Sequence, residues 1–217
     1  LQKVEPTLKF QALTSRKDFQ AMLKQKDVAF AIVSSHVLRE VGTNKLEPLL
    51  VPAKDNDPYY RKLLLDGGQG NKGDLRGQNI AATVGSQDKS SGKKAVLDEL
   101  TSGGVQVSEA IVMPVSKDID ALLALAFGQV QAALVTPDSL LILERLNPVA
   151  AKSFRQVYEA PKILRAPLTA VGKRANPALK TKLKEAFLTM SQDSNGRKAM
   201  SMLAFNTWMP FEPSMLE

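Results

Sequence analysis

Cysteine is absent from the chain. That excludes a disulfide scaffold, thiolate metal sites and thiol nucleophiles, and it fits an oxidising compartment. Histidine occurs once, as His36. The usual catalytic triads and histidine metal sites need an imidazole set among specific partners, so neither a metal, a cofactor nor an enzyme activity is expected. No run approaches the ~20 consecutive apolar residues that a membrane-spanning helix needs. The greasiest windows, residues 121–127 and 128–135, are interrupted by Gly128, Gln129 and Gln131, so contact with a membrane is expected only through a partner. Aromatic residues make up 6%, with Trp208 the sole tryptophan, and no long basic run exists. The formal charge of +7 comes from pairs and singles such as Arg16-Lys17, Lys93-Lys94, Lys173-Arg174, Lys180 and Lys182. An anionic partner is expected and nucleic acid is not. The chain begins at Leu1 without a charged-then-apolar leader, which reads as a trimmed targeting segment or an arbitrary start.

What the chain does have is the composition of a soluble globular protein, 217 residues with 44% hydrophobic and 24% charged. Its pattern is an apolar strand, a turn and an amphipathic helix, repeated. Residues 8–12 alternate as a strand, and a capping box at Ser15 opens a helix carrying Phe19, Met22 and Leu23. The continuous apolar run 28–33 predicts a strand covered on both faces, followed by a short helix from Ser34 and Ser35 to Gly42. Residues 49–51 and 60–65 read as strands of a hairpin across the polar turn 54–58. Further strands are predicted at 79–84, 110–115, 130–135, 156–159 and 168–171. Between and after them come helices opened by Ser90 or Ser91, by Ser116, by Thr136-Pro137 and by Asn176-Pro177. Strands alternating with helices imply an α/β fold with mostly parallel sheets flanked by helices, and two stretches of that pattern suggest two lobes.

Three motif matches fail on context. Gly68, Gly70 and Gly73 have dinucleotide-fingerprint spacing, but only 74–77 intervene before the next strand, so the segment reads as a flexible tip. Ser91-Gly92-Lys93-Lys94 approaches a phosphate-binding loop, with Gln87 where glycine is needed and Lys94 where a hydroxyl is needed. Gly85-Ser86 lacks the second glycine of a nucleophile elbow. What remains are polar helix starts at the carboxyl ends of strands, where ligands settle in open α/β sheets. Lys89, Ser90, Ser91 and Gly92 offer hydroxyls, an ammonium, a glycine permitting close approach and unpaired helix amides, the chemistry of an oxyanion site. Ser34, Ser35 and His36 offer the same in the first half, and either serine pair would also serve as a plain helix cap.

From about Leu8 to Phe211 the order of elements resembles the phosphate/phosphite/phosphonate-binding components of ABC transporters, the type II periplasmic-binding-protein family. The resemblance is carried by Leu75-Arg76-Gly77, Ser90-Ser91-Gly92, Ser116-Lys117-Asp118, the segment 128–132 and Met209-Pro210-Phe211. It implies two lobes, residues 1–65 with 161–217 and residues 66–160, joined by crossing strands near 60–65 and 168–171 and closing on a small oxyanion. It also implies ligand contacts from Ser90, Ser91 and Gly92, from Ser116 and Lys117, and from Tyr59 and Tyr60 as cleft or hinge aromatics; Lys89 at the same helix start and Ser34, Ser35 and His36 on the other lobe are candidates from their own chemistry. The family shows Ser-Thr-Ser-Gly where Lys89-Ser90-Ser91-Gly92 stand, histidine at Lys117 and aspartate at Gln131. Its first strand and helix have no counterpart before Leu8, so that unit of lobe one is expected to be missing. The expected function is capture of a phosphate- or phosphonate-like oxyanion outside the cytoplasm, in the periplasm or its equivalent, for an ABC transporter permease. The alternatives are a sensing module of the same fold reporting to a signalling protein and, less favoured, an enzyme.

Overall fold

A computed structural model describes residues 7–13, 16–24, 28–68, 72–84 and 89–216; the side chains of Arg16, Lys17, Lys89 and Ser91 are outside that description. Ser15, Gly70 and the segment 85–88, on which some sequence expectations rest, lie outside the described residues. In chain order the elements begin with α1 (Arg16–Lys24), β1 (Phe30–Ile32), α2 (Ser35–Val41), β2 (Leu46–Ala53), β3 (Tyr59–Tyr60), β4 (Leu63–Asp66) and β5 (Asn79–Thr83). They continue with α3 (Lys89–Ser102), β6 (Ile111–Val115), α4 (Asp118–Ala126), β7 (Ala132–Val135), α5 (Pro137–Leu146), α6 (Pro148–Ser153) and β8 (Arg155–Glu159). The last are β9 (Ile163–Leu164), β10 (Leu168–Val171), α7 (Pro177–Leu188), α8 (Ser194–Met202) and β11 (Thr207–Pro210). The chain forms two compact units, residues 1–60 with 163–217 and residues 61–162.

In the second unit the sheet order is β6-β5-β7-β4-β8, with β5 parallel to both β6 and β7 and β4 antiparallel to β7 and β8. The apolar runs of these strands are divided by the pleat, because successive side chains point to opposite faces. Leu64, Ile80, Ala82, Ala132 and Leu134 meet Val96 and Leu100 of α3. Leu63, Leu65, Ala81, Ala133 and Val135 meet Ala121, Leu122 and Leu125 of α4, Leu143 of α5 and Ala151 of α6. Both faces are thus covered, and each fully buried leucine contributes about 1.5–3 kcal/mol through lost water contact.

The first unit's main sheet, β1-β10-β2-β11, is antiparallel throughout. One face packs on Leu183 of α7 and Met200 of α8, where Trp208 meets Phe187 and Phe205 edge-to-face at 4.8 and 5.2 Å. Near α2 a separate cluster holds Leu38, Leu46 and Val171, with Phe19 and Leu23 of α1 against it.

Five expectations change here. Parallel pairing is confined to β6, β5 and β7, since only there do helices return the chain to run in the same direction. Residues 8–12 form no strand, and Phe10 is 75% exposed: alternation alone does not make a ladder. The run 28–33 supplies only the three-residue β1, an edge strand whose Ile32 is half exposed. The turn after β2 is a tight one, with Asp55 and Asn56 at φ 52° and 65° and paired Lys54 and Asp57 backbones, but its flanks do not form a hairpin. Strand β2 pairs with β10 and β11, while β3 pairs with β9. Moreover, β10 (Leu168–Val171) lies within the first unit's sheet, and the chain passes between units at 60/61 and 162/163.

Candidate functional site

The carboxyl edge of the second unit's parallel strands is built by repetition. Strand β5 ends at Thr83, β6 at Val115 and β7 at Val135, and each feeds a helix, starting at Lys89, Asp118 and Pro137. Each helix start leaves backbone N–H groups unpaired and carries the positive end of a dipole, so three such starts at one sheet edge favour negative charge.

At that edge stands a polar network. The Thr83 hydroxyl donates to Asp118 Oδ1 at 2.9 Å, and Lys62 Nζ donates to Thr83 Oγ1 at 2.5 Å. Lys62 Nζ lies 3.5 Å from Asp118 Oδ1, with the two side chains only 14% and 11% exposed. The backbone N–H of Thr136 donates to Asp118 Oδ2 at 2.8 Å, and Thr136 Oγ1 lies 3.0 Å from Ser139 Oγ. An ammonium, one hydroxyl and a helix-start amide thereby converge on a carboxylate, the donor set that also suits a phosphonyl or phosphoryl oxygen.

Of the residues expected from the sequence, Lys89, Ser90, Ser91 and Gly92 form the first turn of α3, with Ser90 exposed. Ser116 and Lys117 are exposed and lie between β6 and α4. Because β5 and β6 are adjacent, with Thr83 opposite Val115, the topology brings these two sets to the same edge. The cap of α4 is Lys117, not Ser116, and its N–H donates to Asp120 Oδ2 at 3.1 Å. In the first unit Ser34 accepts from Val37 N–H at 3.3 Å, Ser35 is buried and His36 is exposed at the start of α2. Tyr59 donates its hydroxyl to the Met215 carbonyl at 3.3 Å, and Tyr60 lies under the Arg165 guanidinium. Lys62, Thr83, Asp118 and Thr136 were not expected from the sequence. The only signal for them is position, at or just beyond strand ends.

The family-like segments 75–77 and 128–131 lie at the opposite, amino edge. There Gly77 sits at φ 65°, Arg76 grips Asp74 through two bonds of 2.9 and 2.7 Å, and Gln131 accepts from Asn79 N–H at 3.0 Å. The Arg76 bonds hold the Asp74 carboxyl down at about 2. A cavity of about 860 Å³ opens beside them, lined by Asp74, Arg76, Gln78, Glu109 and Gln131. It lies away from the helix starts, and its arginine is already paired.

A smaller cavity of about 490 Å³ involves Glu99, Ser102, Gly103 and Tyr158. The Tyr158 ring lies over Gly103, where any Cβ would overlap it. Glu99 Oε1 is buried with no hydrogen-bond partner among the described residues, and burial pushes its carboxyl above the ordinary 4.5, opposed by the charge of Lys62. Burial, and then Glu99, push the Tyr158 phenol up as well. A carboxyl raised on folding leaves stability intact below its unfolded value, and stability is lost as pH climbs from there through the raised value. Glu99→Gln should therefore be more stable than the parent at neutral pH, with the gap in urea midpoint closing as pH falls below 4.5, and Tyr158 should titrate lower by ultraviolet absorbance. An equal gap at both pH values would show that Glu99 ionisation is not the cause.

Two compact α/β units, each threaded by the chain, are the architecture of substrate-binding proteins of the type II periplasmic class. The family described as "ABC transporter, phosphonate, periplasmic substrate-binding protein" matches residues 2–216, and this chain belongs to it. Among solved structures it is similar to XAC2383 from Xanthomonas citri bound to ATP, at 16% identity and a TM-score of 0.72, over 95% of this chain and 80% of that one. It is similar to PhnD1 from Prochlorococcus marinus in complex with methylphosphonate, at 12% identity and a TM-score of 0.67, over 96% and 82%. A binding-protein component of an ABC phosphonate transporter from Pseudomonas aeruginosa aligns at 17% identity and a TM-score of 0.62, over 91% and 68%. At these identities the structural likeness establishes the fold. No curated protein matches the chain.

Proposed function

We propose that this chain binds a small phosphonate- or phosphate-like oxyanion at the carboxyl edge of the second unit's sheet and delivers it to an ABC transporter permease outside the cytoplasm, without catalysing a reaction. The two lobes of such a protein correspond to residues 1–60 with 163–217 and residues 61–162. The observation that carries this reading is the convergence of Lys62, Thr83 and the Thr136 amide with the starts of α3, α4 and α5. Ser90, Ser91 and Gly92 in the first turn of α3, and Ser116 and Lys117 before α4, are the added donors of the site. Ser34, Ser35, His36, Tyr59 and Tyr60 are the candidates from the first unit.

The likeness to a methylphosphonate complex selects the first probe. Methylphosphonate, phosphite, phosphate and sulfate are compared by thermal shift and calorimetry. A ligand at about 100 times its dissociation constant should stabilise the fold by about 2.7 kcal/mol. Stabilisation by a phosphorus oxyanion supports the proposal, and four inert anions would refute it.

A further inference from the structure

We infer that Arg165 is an oxyanion-binding residue of the first unit, contributing a guanidinium fork that recognises a phosphonate or phosphate group. The inference rests on the proposed reading that the chain captures such an anion.

Arg165 follows β9 directly, and its backbone N–H donates to the Pro58 carbonyl at 2.9 Å, continuing the β3–β9 pairing. Its guanidinium carbon lies 5.7 Å from the centroid of the Tyr60 ring, so the plane is held by a cation–π contact. The residue is half-buried, and Nε is fully buried with no hydrogen-bond partner among the described residues.

That combination is unusual within this protein. The other half-buried arginines each have a carboxylate: Arg61 has Glu159 and Arg155 has Asp66. Arg39, Arg174 and Arg197 donate to backbone carbonyls. No ion pair among the described residues involves Arg165. A guanidinium cannot shed its charge, so taking it out of water without an acceptor is costly, and a buried donor left open calls for an acceptor that the described residues do not supply. Five N–H donors in a rigid planar fork match two oxygens of a tetrahedral phosphorus oxyanion better than any neutral group. Neither spacing nor composition marks Arg165, because its distinction is that no ion pair among the described residues involves it.

The test is calorimetry with methylphosphonate and inorganic phosphate on the full chain, comparing the parent, Arg165→Gln and Arg165→Lys. Arg165→Gln should bind about ten- to hundredfold more weakly, the size expected for losing hydrogen bonds to a charged group. Arg165→Lys keeps the charge without the fork and should fall between the two. Melting temperature without ligand separates this from a packing role: a purely structural arginine would lower it while leaving the affinity of the folded fraction unchanged, which overturns the inference. Equal affinity in parent and both variants overturns it too. Should Arg165→Gln not fold, Arg165→Lys decides alone, since parental affinity there excludes a forked contact. A parent that binds neither anion instead defeats the functional reading, and this inference with it.

Discussion

Asp66→Ala is expected to destabilise the protein by about 1–3 kcal/mol, the cost of leaving hydrogen-bond donors without the buried carboxylate that accepts from them. Asp66 is 4% exposed at the end of β4, directly across the ladder from Arg155 on β8. Its Oδ2 accepts from an Arg155 terminal nitrogen at 2.7 Å, while Oδ1 accepts from Arg155 Nε at 3.1 Å and from Gly68 N–H at 2.9 Å. Alanine would remove the acceptor of both Arg155 bonds and of the Gly68 amide at once. Asp66→Asn keeps the shape and one acceptor, so it should cost less. Urea denaturation checks both variants. A midpoint for Asp66→Ala close to the parent's would mean that water replaces the carboxylate there without penalty.

The helices were legible because their signals are local. Thr136-Pro137 and Asn176-Pro177 announce α5 and α7, and Asn176 accepts from Leu179 N–H at 2.7 Å as a cap should. The buried Leu183 and half-buried Leu179 and Phe187 lie on the stripe that helical spacing marks out. The ladders were less legible. Strand β2 is apolar apart from Glu47, yet its partners β10 and β11 come from the far end of the chain, and no local pattern encodes that choice. The tight turn at Asp55 and Asn56 illustrates the limit, since its backbone is that of a hairpin while its flanking strands pair elsewhere.

The site divides along the same line. Polar helix starts at Ser90 and at Ser116-Lys117 could be read from strand and cap patterns. The cap shift from Ser116 to Lys117 could not, because Asp118 is drawn to Thr83 and to the Thr136 amide, contacts 35 and 18 residues away in sequence. Lys62 reaches Thr83 from the start of β4, which runs antiparallel to β7. A cation arriving from the opposite strand direction leaves no trace in spacing. Arg165 is harder still, as its candidacy depends on having no ion pair among the described residues.

Lys62→Met should affect both stability and binding, and the two effects are separable. The ammonium is the cation paired with Asp118 among the described ion pairs, and both groups are largely out of water. Methionine preserves the length of the apolar stem but leaves the carboxylate with only the Thr83 hydroxyl and the Thr136 amide. A loss of about 3 kcal/mol is expected, as for any largely buried pair cut on one side. Adding Asp118→Asn to Lys62→Met removes the uncompensated charge and should recover part of that loss, a coupling that a double-mutant cycle measures directly. Oxyanion affinity should stay low in the double variant, weaker by about ten- to hundredfold, because restoring charge balance does not restore the donor. If affinity recovers along with stability, Lys62 acts only by holding Asp118 and the edge of the sheet in place. If stability recovers alone, the ammonium contacts the anion itself, and the carboxyl edge of the second unit is where the ligand's negative charge rests.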